Sequence, residues 1–348
     1  TAPRYRWQPT TAEIAERYGL DESDVIRFDH NTSPFSSDWA PALIAPMARR
    51  LNEYPGALYS EIREAAAGYL GVDSEMVVPG AGIDEIIGLV ANAFLGRGQR
   101  ATAVTPTYPM YQIASLQRQA EFVSVSYEPD FVFPAGAFGE AAQTSDVTWL
   151  CVPNNPTGDR VPDDIVASII EQARGIVVID AAYAEFAGDV WARWVERYDN
   201  LIVAHTMSKA FGLAGIRVGY SISAPKIADR LDSVRPPGSI SSISAELASV
   251  ALGEPQRMQR RIMRLAKEKS RMSVALTQLG IQPRPSETNF LLCDVGPQSG
   301  DIAGQLLTKG LVVRHFPDDH PLVNFLRFTV RAPHENDRLI DALWRQLS

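Results

Sequence analysis

The residue with the clearest chemical potential is Lys209, in the run Ala204-His-Thr-Met-Ser-Lys-Ala-Phe-Gly-Leu-Ala-Gly-Ile-Arg-Val-Gly-Tyr220. It follows an apolar strand-like stretch and is surrounded by small and apolar residues. A charged ammonium is costly there. Desolvation and a nearby cation such as Arg217 would lower its pKa, favouring the neutral amine that attacks an aldehyde carbon. The chain has five lysines, and the other four (Lys226, Lys267, Lys269 and Lys309) read as polar surface residues. The ordinary alternative for Lys209 is a surface lysine at a helix start, its stem laid along apolar neighbours.

Other groups converge on the same kind of position. The run Gly175-Ile-Val-Val-Ile-Asp180 ends in a carboxylate, with Tyr183 three residues on. An Asp at a strand end can pair with a protonated heteroaromatic nitrogen, and a nearby phenol can bond an oxygen on the same ring. It can equally cap a helix, with the tyrosine packing beside it. Val152-Pro-Asn-Asn-Pro-Thr-Gly158 also follows a strand pattern, and as composition it reads as a turn. Pro79-Gly-Ala-Gly-Ile-Asp84 joins a strand pattern to a helical one. Gly80 and Gly82 allow backbone amides to approach an anion near a helix N-terminus. An ordinary turn fits it too: it has no phosphate-loop lysine and no full dinucleotide fingerprint, which excludes a nicotinamide dehydrogenase.

The elements that must position these groups alternate. Apolar β-rich runs at 76–79, 101–105, 147–152, 176–180, 201–205 and 218–222 are separated by helical patterns at 83–95, 108–119, 163–174 and 190–198. This alternation predicts a mainly parallel sheet covered on both faces, with ligands at the carboxyl ends of its strands. Beyond Arg235-Pro-Pro-Gly238 the character changes to one long helix over 242–279, strands at 289–294, 312–315 and 325–330, and a last helix over 334–347. A short helix at 11–18 and a strand at 25–28 are expected to pack on that smaller α+β unit. The division is therefore an N-terminal arm (1–40), a large domain (41–238) and a small domain (239–348).

Composition bounds the partners. The chain has 348 residues, 45% apolar and 21% charged, with 33 Lys plus Arg against 41 Asp plus Glu, for a net charge of −8. Such an acid surplus gives no general attraction to nucleic acid or an anionic membrane. The opening Thr1-Ala-Pro-Arg-Tyr-Arg-Trp7 has no apolar signal core, and no run approaches a membrane span. Cys151 and Cys293 lie far apart in apolar runs, read as buried reduced thiols of a cytoplasmic protein. His315 and His320 flank Pro317-Asp-Asp319 at no strong metal-ligand spacing, so no metal is expected.

Gly-Ala-Gly-Ile-Asp-Glu (80–85), Thr-Tyr-Pro-Met-Tyr (107–111), Asn-Asn-Pro-Thr-Gly (154–158), Asp-Ala-Ala-Tyr (180–183) and the Lys209 segment stand in the order found in fold-type I pyridoxal-phosphate-dependent aminotransferases. The chain resembles that family from about Asp29 to its C-terminus, and most of all its histidinol-phosphate aminotransferase branch. The resemblance implies an α/β fold, with a large domain built on a mainly parallel sheet of the seven-stranded type and a smaller α+β domain. It implies pyridoxal 5'-phosphate as cofactor, carried on Lys209 as a Schiff base. Asp180 would hold the pyridine nitrogen protonated, Tyr183 and Asn155 would bond the ring phenolate oxygen, and Tyr108 would stack on the ring. The amides of Ala81 and Gly82, the hydroxyls of Thr206 and Ser208, and Arg217, eight residues after Lys209, would cradle the phosphate. Tyr54 matches a tyrosine that reaches the phosphate from the neighbouring subunit, implying a homodimer. It could also be a buried tyrosine before a Pro-Gly turn.

For the substrate, the resemblance matches Arg327 to the arginine that grips the α-carboxylate, Arg314 to a second anion contact, and Asn31 to the start of a substrate-facing turn. Arg314 can also be read as a strand-end surface arginine. Three departures bear on specificity. Asn31-Thr-Ser-Pro34 stands for Asn-Glu-Asn-Pro and Asp180-Ala-Ala-Tyr183 for Asp-Glu-Ala-Tyr, and Val330-Arg331 brings a cation where the branch has glycine. The expected activity is transfer of an amino group between an amino acid or amino-alcohol phosphate, histidinol-phosphate-like or aromatic, and a 2-oxo acid such as 2-oxoglutarate. The rival on the same scaffold is a decarboxylase resembling threonine-phosphate decarboxylase.

Overall fold

The computed structural model describes residues 5, 8–188 and 190–347; most of the opening heptapeptide lies outside them. The N-terminal arm contributes a helix, Thr11–Tyr18, closed at its start by a reciprocal Thr10–Glu13 capping box. The two-residue strand β1 (Ile26–Arg27) follows. The chain then builds seven strands: β2 (Val77–Gly80), β3 (Arg100–Thr105), β4 (Glu121–Ser126), β5 (Val147–Cys151), β6 (Ile176–Asp180), β7 (Leu201–Thr206) and β8 (Gly219–Ser223). They form one sheet in the order β2-β8-β7-β6-β5-β3-β4. Only β8 runs antiparallel to its neighbours β2 and β7.

Period-two alternation sends successive side chains to opposite faces, and both faces are buried. Leu150, Val177, Ile179 and Val203 enter one core. Trp149, Val178 and Ile202 enter the other, beneath the helix Ile83–Phe94. Burying one such side chain contributes about 1.5–3 kcal/mol, so the sheet is rigid where it carries its loops.

The remaining strands β9 (Gln282–Pro283), β10 (Phe290–Asp294), β11 (Leu311–Val312), β12 (Arg314–His315) and β13 (Phe325–Thr329) belong to the smaller part. Four of them form an antiparallel sheet, β12-β13-β10-β9, while β11 pairs in parallel with β1. Phe28 joins Leu291, Cys293, Leu326 and Phe328 in that core, so the N-terminal arm is packed there.

Besides helices the sequence reading passed over, such as Ser60–Leu70 and Ala135–Thr144, four elements depart from it. The single helix expected over 242–279 is two helices, Ser242–Gly253 and Pro255–Gln278. Pro255 has no N–H to donate and its ring bars helical geometry at Glu254, whose φ of −123° and ψ of 58° make the joint. The helix expected over 190–198 is a 3-10 turn, Ala192–Glu196, which seats Trp191 and Val195 in the core. The strand expected over 312–315 is split, its first part pairing with β1 and its second with β13. Edge strand β4 was not anticipated; its half-exposed pattern lacks the apolar run of a central strand. Among the described residues, no helix is long and apolar enough to cross a membrane.

Candidate active site

The carboxyl ends of β3, β5, β6 and β7 open onto one cleft of about 1080 Å³, whose lining includes Asp84, Tyr108, Asn155, Asp180, Tyr183, Thr206, Ser208, Lys209 and Arg217. Lys209 lies three residues after the end of β7, and its Nζ donates to the His30 carbonyl at 3.2 Å. It is half-buried, 5.9 Å from the centre of the Tyr183 ring. Its pKa is pushed down to about 8, first by desolvation and then by the guanidinium of Arg327, with Arg217 a smaller contributor. The sequence reading credited Arg217; the stronger cation comes from β13.

Asp180 is 3% exposed at the end of β6. The Tyr111 hydroxyl donates to its Oδ2 at 2.5 Å and the Ala182 amide to its Oδ1 at 3.0 Å. Burial nevertheless raises its pKa to about 6, the two donors opposing that rise. Tyr183 is also buried, which pushes its phenol upward, and its oxygen accepts from Asn31 Nδ2 at 2.9 Å. Asn31 is itself fixed from β13 and the residue before β10: Thr329 Oγ1 donates to its Oδ1 at 3.1 Å and Asn289 Nδ2 to its carbonyl at 3.0 Å. Tyr108 donates to Asp84 Oδ1 at 2.7 Å, holding its ring at the cleft wall.

At the other end of the cleft Thr206 Oγ1 donates to Ser208 Oγ at 3.0 Å, and Arg217 Nη1 lies 3.4 Å from the same Ser208 oxygen. Arg217 Nη2 meets Asp84 Oδ2 at 3.3 Å. A Cβ on Gly82, whose φ is +82°, would stand 2.5 Å from Arg217 Nη2, so only glycine lets the guanidinium lie over the loop. The two loop amides read as phosphate donors are engaged within the chain in this structure. Ala81 N–H donates to Glu85 Oε2 at 2.5 Å and Gly82 N–H to the Gly80 carbonyl at 2.8 Å. Gly82 is the N-cap of Ile83–Phe94, so the amides of Ile83, Asp84 and Glu85 have no intrahelical acceptor, and Ile83 and Asp84 line the cleft.

Arg327 and Arg314 are directly opposite each other on β13 and β12. Arg327 is 7% exposed, donates to the Asp29 carbonyl at 2.7 Å and to Asn155 Oδ1, and lies 5.1 Å from the Phe290 ring centre. Its Nε is buried without an acceptor, and among the described residues neither arginine has a carboxylate within salt-bridge distance. A buried cation in that state lacks an anion. Burial brings its pKa down to about 10.

Several expected positions stand apart from the cleft. Tyr54 is 97% exposed, beside exposed Leu51 and Leu58, which overturns the reading of a buried tyrosine. Arg331 turns away to a two-pronged contact with Glu335 at 2.8 and 3.0 Å, at the start of the last helix. Lys269 is not a surface lysine: its Nζ donates to the carbonyls of Ser286 and Thr288 at 2.6 and 2.8 Å. His320 stacks on Phe316 and accepts from the Leu322 amide. Both cysteines are buried and free. Tyr111 was missed, although its place three residues after Tyr108 was the available signal.

A neutral-capable amine, a buried carboxylate, ring-oxygen partners and a hydroxyl–guanidinium–amide cluster in one cleft fit a phosphorylated pyridine aldehyde. The sequence model of the family described as aminotransferase class I and II matches residues 23–343, and the chain belongs to that family. It is a pyridoxal-phosphate-dependent aminotransferase of the branch that contains the histidinol-phosphate aminotransferases. It is 36% identical over 301 residues to the histidinol-phosphate aminotransferase of Caldanaerobacter subterraneus subsp. tengcongensis, covering 86% of this chain and 85% of that one. Its fold matches the Sinorhizobium meliloti histidinol-phosphate aminotransferase solved with pyridoxal-5'-phosphate, at a TM-score of 0.88, 24% identity and coverage of 98% and 95%. The L-threonine-O-3-phosphate decarboxylase of Porphyromonas gingivalis matches at 0.82 with 22% identity, covering 93% and 99%. These two likenesses carry the fold alone.

Proposed function

We propose that the enzyme moves an amino group from a phosphate- or carboxylate-bearing amine of the histidinol-phosphate or aromatic amino-acid kind to a 2-oxo acid such as 2-oxoglutarate. The observation that carries this reading is Lys209, an amine poised near pH 8 that feels both the buried Asp180 carboxylate and Arg327, whose strand partner is Arg314. Thr206, Ser208, Arg217 and the amides of Ile83 and Asp84 would hold the cofactor phosphate, and Asp180, Asn155, Tyr183 and Tyr108 its ring. When bound, pyridoxal phosphate supplies an electron-withdrawing ring that spreads negative charge from the carbon bearing the amino group.

The chain's own residues do the rest. Asp180 would accept a hydrogen bond from the protonated ring nitrogen. Lys209 Nζ, as the neutral amine, would take the proton from the donor's Cα and deliver it to the cofactor's aldehyde-derived carbon. Arg327 offers its free Nε and a guanidinium fork to a carboxylate, while Arg314, facing it, suits a second anion such as a phosphate. Donor and acceptor use one site in turn, so the kinetics are ping-pong.

The working form is a homodimer in which Tyr54 reaches the partner's phosphate site, a reading supported by its exposure beside Leu51 and Leu58. Two buried free thiols support a cytoplasmic setting. The large and small parts act as separate domains, 41–238 and 239–348, with 1–40 carried on the small one.

The test is the half-reaction. Holoenzyme mixed with histidinol phosphate or aromatic amino acids, without acceptor, should convert to its amine form with one carbonyl product per site. Release of carbon dioxide instead would move the chain to the decarboxylase reading, and no conversion with any donor would refute the substrate class.

A further inference from the structure

Asp180 is held by Tyr111, the last residue of the Thr-Tyr-Pro-Met-Tyr run, to which the resemblance assigns no role. Tyr111 is fully buried, and its hydroxyl reaches Asp180 Oδ2 at 2.5 Å. Its ring has no freedom to leave. It stacks on Trp149 with centroids 5.3 Å apart and 9° between planes, and Tyr108 abuts it edge-on at 5.8 Å. Ser115 ties this packing to the backbone, donating to the Tyr111 carbonyl at 2.7 Å while accepting from Trp149 Nε1 at 3.3 Å. A rigid phenol aimed at one carboxylate oxygen, with the Ala182 amide on the other, leaves a single orientation for the remaining lone pairs.

We propose that Tyr111 is a positioning residue for the reaction: its buried hydroxyl orients the Asp180 carboxylate and holds it in the acceptor form that a ring N–H requires. The inference rests on the reading that Asp180 meets the cofactor's ring nitrogen. The physical need is plain. A carboxylate without water takes up a proton unless donors stabilise its charge, and a protonated Asp180 cannot hold a proton on the ring. The other titratable groups that bear on Asp180 are Asp84, which favours its protonation, and His205 and Lys209, which oppose it when charged. Cys151, Tyr108 and Tyr183 are neutral there, burial raising the pKa of each. Burial pushes the Tyr111 phenol well above its ordinary value, so it is the donor that stays protonated and neutral.

The experiment titrates cofactor-free protein with pyridoxal phosphate from pH 5 to 9 and records affinity. Wild type should show an acid-side inflection near the Asp180 pKa of about 6. Tyr111→Phe keeps the stacked ring and deletes one charge-assisted hydrogen bond, which moves that inflection up by about one pH unit and weakens affinity at pH 7 about fourfold or less. The variant's melting temperature at pH 5, where the carboxyl is protonated, should stay close to wild type. Incorporating 3-fluorotyrosine at position 111, a stronger donor of nearly the same size, should move the inflection down, which keeps the test open if the phenylalanine variant fails to fold. Asp180→Asn should abolish the inflection. If it does, and neither change at position 111 moves it, Tyr111 has no such role and the proposal is overturned. If Asp180→Asn keeps the inflection, the reading of Asp180 itself fails.

Discussion

The structure makes the reactivity of Lys209 depend on an arginine 118 positions away in the sequence. The perturbation is Arg327→Met, which removes the charge and keeps much of the volume. With Lys209 at about 8, about 9% of the amine is neutral at pH 7; at its ordinary 10.5 the fraction would be about 300-fold smaller. Desolvation is the larger cause and survives the substitution. Loss of the guanidinium should therefore return only part of the shift, about one unit, leaving about tenfold less neutral amine at pH 7. The assay is the rate at which cofactor-free protein combines with pyridoxal, which lacks the phosphate, followed from pH 6 to 10. Wild type should give an inflection near 8 and the variant one near 9, with equal plateau rates above both. An unchanged inflection, or a downward one, would refute the electrostatic reasoning and leave burial as the whole cause.

Gly82→Ala places a methyl against Arg217 in a backbone conformation unsuited to alanine, so cofactor affinity should fall about tenfold or more in a titration while the fold persists. Asp180, raised from 3.8 to about 6, contributes stability that is fully present below pH 4 and lost as pH rises through 6. Melting the cofactor-free protein between pH 4 and 7.5 should reveal a loss of about 3 kcal/mol that is absent in Asp180→Asn; equal slopes would contradict it. An equal mixture of re-paired Tyr54→Ala and Lys209→Ala subunits should regain about a quarter of wild-type activity, since about half of its dimers are mixed and each of those holds one intact site of two. No regain would place Tyr54 outside the partner's site.

What the sequence made legible was local. Asn155, Tyr183 and Lys209 follow strand ends by a few residues, Asp180 ends its strand and Arg217 just precedes one, and loops at strand ends keep their residue order in space. What escaped it was contact between distant segments. The Tyr111 bond to Asp180 spans 69 positions, and the Thr329–Asn31 bonds span 298. The hold on the Ala81 amide illustrates a finer limit: composition showed a loop able to meet an anion, but not that Glu85 already occupies one of its donors. Strand β4 was passed over because an edge strand alternates weakly, and Pro255 was read through although a proline's missing N–H was in plain view.

The central claim is that Lys209, and no other lysine, carries the cofactor. Holoenzyme reduced with borohydride, digested and mapped by mass spectrometry should show the pyridoxyl-phosphate adduct on the peptide containing Lys209. An adduct on Lys226, Lys267, Lys269 or Lys309, or none at all, would contradict the account.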